Sequence, residues 1–315
     1  MPLAHRDLLD LDDYSSEEIM LLLETTSAMT EILSRPIRRV PTLRGKTIVN
    51  MFYEASTRTR SSFELAAKNL SADLVNVSAS QSSVDKGESL VDTMRTLQAL
   101  GADMIVMRHW EAGAPYLAAS WLNASVINAG DGWHAHPSQA LLDLYTVQQR
   151  LGTLEGLKLV IVGDILHSRV ARSNLWGFGR LGAEIVLCGP PTLLSPEILG
   201  ITEDMPQVSI SYDLDAAIVD ADVVMMLRLQ RERMASGLLP SLREYAVRFG
   251  LTRRRLQRAR PNALIMHPGP MNQGVEISPE LAYGEQAVIE EQVTNGVAVR
   301  MAIFYLLAGT AERLV

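Results

Sequence analysis

The sequence predicts an α/β protein built from two doubly wound domains, each with a parallel sheet. Three observations lead there. Nine short apolar runs show no polar–apolar alternation, as strands buried on both faces require. Helical periods lie between the runs, so the βα alternation is written twice along the chain. At 315 residues, the chain exceeds what one hydrophobic core usually serves.

In the first half, Ile48–Phe52, Leu74–Val77, Met104–Met107 and Val126–Asn128 read as strands. Between them, Phe63, Ala66, Ala67 and Leu70 keep a helical period, as do Leu90, Met94 and Leu97. A helix from about His136 to Arg150 precedes a break at Gly152–Gly156. In the second half, Leu159–Val162, Ile185–Cys188, Val208–Ser211, Val223–Leu227 and Leu264–Met266 read as strands. A last helix starts near Glu290, and its stripe of Val293, Val297, Met301, Phe304 and Ala308 must pack on something. No repeat or low-complexity segment interrupts this order.

Composition narrows the function. Hydrophobic residues make up 47% and charged residues 21%, ordinary for a soluble globular chain. No window approaches an uncharged membrane-spanning length, and the acidic MPLAHRDLLDLDD start lacks signal-peptide character, so no membrane partner is expected. The single Cys188 excludes an internal disulfide and suits a reducing cytoplasm. A formal charge of −7 argues against non-specific nucleic-acid binding, so any anion site must be a local basic cluster. The run Arg253, Arg254, Arg255, Arg258 and Arg260 lacks interleaved aromatics and reads as a solvated helix face.

The densest motif is STRTRSS, residues 56 to 62, where a strand becomes a helix. A helix start exposes unpaired N–H groups and partial positive charge. Ser56, Thr57 and Thr59 add donors, and Arg58 and Arg60 add cationic forks, which together describe an oxyanion or phosphate site. The competing reading is a capping box, Ser61 with Glu64, which leaves the two arginines unexplained. Arg108 in MRHW ends a strand, where α/β sheets bind ligands; a surface arginine is the alternative. In GDGWHAHPSQALLDL, Pro137 opens a helix whose start presents His136 and Gln139. His134 and His136 lack the H-E-x-x-H spacing of a metal site, so no metal is expected.

In the second half, VIVGDILHSRVARSN has only one of the three glycines of a dinucleotide fingerprint, and no nucleotide cofactor is expected. Its helix is capped near Ser168, which places Arg169 at a helix start. Arg228 and Gln230 follow a strand, and the two prolines and glycine of HPGP fix a rigid turn whose free carbonyls can face a ligand. SSVDKGES, residues 82 to 89, reads as a loop in which Ser82 and Lys86 have no evident purpose.

Taken together, STRTR, SSVDKGES, VMRH, HPSQALLDL, GDILHSRVARSN, LRLQRER and HPGPMN resemble the aspartate carbamoyltransferase catalytic-chain family, in that family's order and from about residue 45 to the end. The ornithine-type S-M-G and H-C-L-P signatures are absent. Where many bacterial members read N-R-G, this chain has Asn272-Gln273-Gly274, so a basic residue is lost there.

The resemblance implies carbamoyl transfer from carbamoyl phosphate to L-aspartate, an early step of pyrimidine synthesis, without a cofactor. It implies a carbamoyl-phosphate domain at 1–143 plus 292–315, with the last helix packing back on it, and an aspartate domain at 144–291. The reaction would lie in a basic cleft that closes on binding. Ser56, Thr57, Arg58 and Thr59 would bind phosphate, and Thr59, Arg108 and His136 the carbonyl oxygen. Gln139, Pro268 and Gly269 would hold the carbamoyl NH2, and Arg169, Arg228 and Gln230 the aspartate carboxylates. Ser82 and Lys86 would come from a neighbouring chain of a homotrimer with shared active sites. Regulatory or dihydroorotase chains are further partners the sequence leaves open. The alternatives are transfer to ornithine or an N-acetylated amino acid, a non-catalytic paralogue, and a nucleotide-binding oxidoreductase.

Overall fold

In a computed structural model of the chain, residues 3–78, 89–202, 207–230 and 237–311 are described. Ser82 and Lys86, two of the expected site residues, lie outside them. In chain order the first elements are α1 (Ser16–Ser34), β1 (Thr47–Phe52), α2 (Thr57–Asn69), β2 (Asp73–Ser78), α3 (Leu90–Ala99), β3 (Met104–His109), α4 (Ala114–Trp121), β4 (Ser125–Asp131) and α5 (Pro137–Leu151). There follow β5 (Lys158–Val162), α6 (Arg169–Arg180), β6 (Glu184–Cys188), β7 (Val208–Ser211), α7 (Leu214–Ala217), β8 (Val223–Met226), α8 (Leu242–Phe249), α9 (Arg253–Leu256), β9 (Leu264–Met266), α10 (Pro279–Ala282) and α11 (Ile289–Ala311).

The chain divides into two compact units, Met1–Tyr145 with Val293–Val315, and Thr146–Gln292. The first holds a sheet of order β2-β1-β3-β4 and the second a sheet of order β7-β6-β5-β8-β9, every pairing parallel. All nine apolar runs are strands, and the fold class is two doubly wound α/β domains. Each sheet is buried beneath its helices. Val49, Met51, Ile105 and Met107 meet Met94 and Leu97 in the first unit, and Val160, Val162, Val224 and Met226 meet Leu214, Ile218 and Tyr245 in the second. Each such side chain removed from water contributes about 1.5–3 kcal/mol.

The last helix packs on the first unit. Phe304 lies 5.7 Å from Phe63 between ring centroids, and Thr310 Oγ1 donates to the Leu3 carbonyl. The buried face differs from the expected stripe: Val293 is 53% exposed, while Val299, Ile303 and Leu307 are buried beside Met301 and Phe304. By length and overall composition Ile289–Thr310 could cross a membrane, but Arg300 interrupts it, as the absence of an uncharged spanning window in the sequence implies, and its apolar window is 67% buried against the protein.

Two further readings change. The capping box at Ser61 and Glu64 does not form: α2 starts at Thr57 with Ser56 at its N-cap, and Glu64 instead pairs with Lys68 at 2.6 Å. The arginine run is not one solvated helix. It is the single turn α9 followed by turns; Arg253 and Arg254 are exposed, as expected, while Arg255, Arg258 and Arg260 tie neighbouring segments together. Arg255 donates to the carbonyls of Val247 and Gly250 at the end of α8 and meets Asp215; Arg260 meets Asp222 at 2.9 Å.

Candidate active site

In the first unit the winding reverses between β1 and β3, the switch point at which α/β sheets open a crevice beyond their strand ends. The STRTR motif leaves β1 there, and Arg108 leaves β3 beside it. Phe52 pairs with Arg108, and the Tyr53 N–H donates to the Arg108 carbonyl. Ser56 caps α2 in extended conformation, but its hydroxyl makes no capping bond. The first turn of α2 carries no acidic residue to answer its dipole, while Arg58 and Arg60 stand exposed on it. The partial positive charge of a helix start favours an anion at that position.

Arg108 is not a surface arginine. It is 9% exposed and sits where the β3–β4 register slips between Met107 and His109. Such bulges re-aim a side chain. One guanidinium nitrogen donates to the Ala129 carbonyl at 3.0 Å, and another meets Glu54 at 3.2 Å. Glu54 precedes the STRTR motif, and its role as a counter-ion was not read from the sequence.

The turn after β4 is organised by Asp131, which is fully buried. It accepts from Gly113 N–H at 2.7 Å, from Ala135 N–H at 3.0 Å and from Asn128 Nδ2 at 2.9 Å. Burial alone would raise its pKa, but bonds from His134, Asn128 and Gly113 outweigh burial and hold it low. The His134 ring lies 3.2 Å from the same carboxylate, whose hydrogen bond raises the imidazole's pKa. His134 is therefore a partner of Asp131. The turn delivers His136, 4% exposed, to the start of α5. Gln139 follows within the first turn, and its Nε2 donates to the buried Asp143 at 3.0 Å.

In the second unit the reversal falls between β5 and β8. Gly163 follows β5 at φ +139°, and a Cβ there would lie 3.0 Å from Leu227 Cβ. The glycine serves close strand approach. Ser168 caps α6 by accepting from Ala171 N–H at 3.1 Å, which leaves Arg169 as the first helical residue, 5% exposed. Beyond β8, Gln230 reaches back across the switch point, and its Nε2 donates to the His167 carbonyl at 3.3 Å. Arg228 stands half-buried in the same segment. His167 is locked to Asp164 at 2.8 Å, and burial pushes the Asp164 pKa up despite that contact.

Pro268 and Gly269 follow β9, which neighbours β8. Their carbonyls accept no hydrogen bond among the described residues, while Gly269 N–H donates to His267 Nδ1 at 2.8 Å. The segment is tied to the Arg228–Gln230 stretch by Glu276, which is fully buried. That carboxylate accepts from Leu229 N–H at 2.8 Å, Asn272 N–H at 2.6 Å and Asn272 Nδ2 at 2.7 Å. Gln273, where a basic residue was expected from the family pattern, donates to the Tyr283 hydroxyl at 2.8 Å. Thus Ser56–Thr59, Arg108, His136 and Gln139 follow neighbouring strands of one sheet. Arg169, Arg228, Gln230, Pro268 and Gly269 follow neighbouring strands of the other.

Comparison with known proteins follows this division. Residues 6–149 match the family described as aspartate/ornithine carbamoyltransferase, carbamoyl-P binding domain. Residues 155–307 match its Asp/Orn binding domain. The aspartate carbamoyltransferase catalytic subunit of Roseiflexus sp. (strain RS-1) is 66% identical over 96% of this chain and 95% of its own length. That of Chloroflexus aurantiacus (strain ATCC 29366 / DSM 635 / J-10-fl) is 64% identical over 96% of this chain and 98% of its own length. Among solved structures, ornithine carbamoyltransferase from Pyrococcus furiosus superposes with a TM-score of 0.87 at 29% identity, covering 98% of this chain and 99% of that one. Aspartate transcarbamoylase from Trypanosoma cruzi, in complex with carbamoyl phosphate and aspartate, gives 0.86 at 29% identity over 95% of both chains.

Proposed function

The chain belongs to the aspartate/ornithine carbamoyltransferase family, and from that premise we propose how its residues move a carbamoyl group from carbamoyl phosphate to the α-amine of L-aspartate. The products are N-carbamoyl-L-aspartate and phosphate. Backbone similarity does not choose the acceptor, since ornithine and aspartate enzymes superpose equally well. The choice rests on the relatives at 64–66% identity, all of them aspartate enzymes by name.

In this reading the phosphate sits on the first turn of α2, held by Ser56, Thr57, Arg58 and Thr59. Arg108 bridges phosphate and carbonyl oxygen. Gln139 and the carbonyls of Pro268 and Gly269 hold the carbamoyl NH2. Arg169, Arg228 and Gln230 bind the two carboxylates of aspartate. The neutral amine attacks the carbamoyl carbon, and its lone pair becomes the new C–N bond. The C=O π pair moves onto oxygen, where Thr59, Arg108 and His136 stabilise the charge, each donor by roughly 3–4 kcal/mol. The pair then returns, the C–O bond to phosphate breaks, and the amine proton passes to the departing phosphate. Much of the rate comes from holding two anions in register.

The observation that carries this reading is the location of both cation sets at the switch points of their own sheets, beside helix starts. Two anionic reactants suit such a pair of sites. We further propose a cytoplasmic homotrimer in which Ser82 and Lys86 of a neighbouring chain complete each site. Carbamoyl phosphate consumption measured with aspartate and then with ornithine tests the acceptor. Turnover with aspartate is expected, and turnover with ornithine alone would overturn the assignment.

A further inference from the structure

We propose that Asp143 is a positioning residue that fixes the Gln139 amide with its carbonyl oxygen outward, so that the site distinguishes carbamoyl phosphate from an acyl phosphate lacking the NH2 group. The inference deepens the proposed function and rests on its placement of Gln139 against the carbamoyl nitrogen.

Gln139 and Asp143 stand four residues apart in α5, the spacing at which helical side chains face each other. Both are buried, and they meet at 3.0 Å. An ionised carboxylate only accepts, so the end of the amide that faces it must be the NH2. This settles an orientation that side-chain shape leaves ambiguous. Once Nε2 is committed, the Gln139 carbonyl oxygen has no partner among the described residues. It can accept a hydrogen bond from a ligand N–H and offers nothing to a methyl group.

A buried cation lies within electrostatic reach of Asp143. Arg300 comes from α11 and is 3% exposed; it donates to Ser62 Oγ at 3.2 Å and the Gly296 carbonyl at 2.9 Å, with its guanidinium 4.8 Å from the Phe63 ring. Burial lowers its pKa to about 10, and the Asp143 charge opposes that fall, so the guanidinium stays protonated at neutral pH. The polarity of the Gln139 amide is thus set by a carboxylate that in turn answers a buried arginine from the far end of the sequence.

A site whose acceptor is fixed outward penalises an isostere that cannot donate. Phosphonoacetamide keeps the NH2 of carbamoyl phosphate, and acetonylphosphonate replaces it with methyl. Affinities of the full-length protein for both are to be measured by calorimetry for the wild type, Gln139→Ala and Asp143→Asn. The wild type is expected to prefer the amide by roughly ten- to hundred-fold, the cost of one unmade buried hydrogen bond. Gln139→Ala should erase that preference; if the preference survives, the placement of Gln139 itself is wrong. Asp143→Asn can donate as well as accept, so the amide loses its fixed sense. The preference should fall about ten-fold, with acetonylphosphonate affinity unchanged.

If Gln139→Ala erases the preference while Asp143→Asn keeps it, Asp143 does not position the amide. Equal loss of affinity for both analogues would make Asp143 merely structural. Asp143→Ser is the second variant should the first not fold. Failure of both to fold would likewise count against a positioning role.

Discussion

Arg169 occupies the first position of α6, where a helix dipole disfavours a cation unless an anion answers it. It is also nearly buried, at 5% exposed. In the proposed function this helix start, whose dipole favours negative charge, takes a carboxylate of aspartate. Arg169→Ala is expected to raise the aspartate KM by roughly ten- to hundred-fold, the value of a charge-assisted hydrogen bond. Affinity for carbamoyl phosphate alone should change little. Equal losses for both substrates in steady-state kinetics would mean that the substitution damages the fold. The pair Asp131–His134 makes a pH-dependent prediction of a different kind. Because Asp131 raises the His134 pKa, the imidazolium contributes stability that is fully present below the ordinary histidine pKa. That contribution is lost as the pH rises through the raised value. The stability difference between wild type and His134→Gln in urea unfolding should therefore shrink toward alkaline pH. A difference that does not vary with pH would show that the pair matters only through packing.

Glu276 works between elements, joining the end of β8 to the turn after β9 through three donors. Glu276→Ala strips the acceptor from the Leu229 and Asn272 amides and should cost about 2–4 kcal/mol of stability. It should also raise the aspartate KM, because Leu229 lies between Arg228 and Gln230. Unfolding and kinetics on the same sample test both parts, and an unchanged KM in a destabilised protein would confine Glu276 to stability. Its link to β8 is not announced locally, because that partner, Leu229, is 47 positions away. The strands, by contrast, were legible because burial on both faces leaves an uninterrupted apolar run. Two of them run on past the apolar signal, β3 by two residues through Arg108–His109 and β4 by three through Asp131, where polar residues inherit the sheet's hydrogen bonding. Arg58 and Arg169 were legible because a cation at a helix start contradicts local electrostatics, and Arg108 and Arg228 because they stand at strand ends. Asp143 had a readable signal, the four-residue spacing from Gln139, that passed unused. The Arg253–Arg260 run misled in part, since Arg255, Arg258 and Arg260 meet Asp215 and Asp222, remote in sequence.

Over the whole molecule the charge is −7, which by itself repels anionic substrates. In the proposed function, substrate capture rests on the arginines at the two switch points rather than on the global field. In the proposed trimer, Lys86 of one chain adds to the cation set of the next, and this makes a prediction about assembly. Chains carrying Arg58→Ala and chains carrying Lys86→Ala should each be nearly inactive alone. Mixed, dissociated and re-associated in equal amounts, they form sites whose two contributions come from different chains. A native site needs the Arg58 side from a Lys86→Ala chain and the Lys86 side from an Arg58→Ala chain. Random assembly of a cyclic trimer meets that condition at about one site in four. Recovery of about a quarter of wild-type activity is thus expected, and the hybrids must be demonstrated separately by mass spectrometry. If hybrids form and activity stays at the level of the parents, Lys86 serves its own chain and the shared-site assembly is wrong. Recovery without hybrid formation would point instead to contamination or reversion. The fraction recovered therefore measures how the site is divided between chains, independently of which acceptor the enzyme prefers.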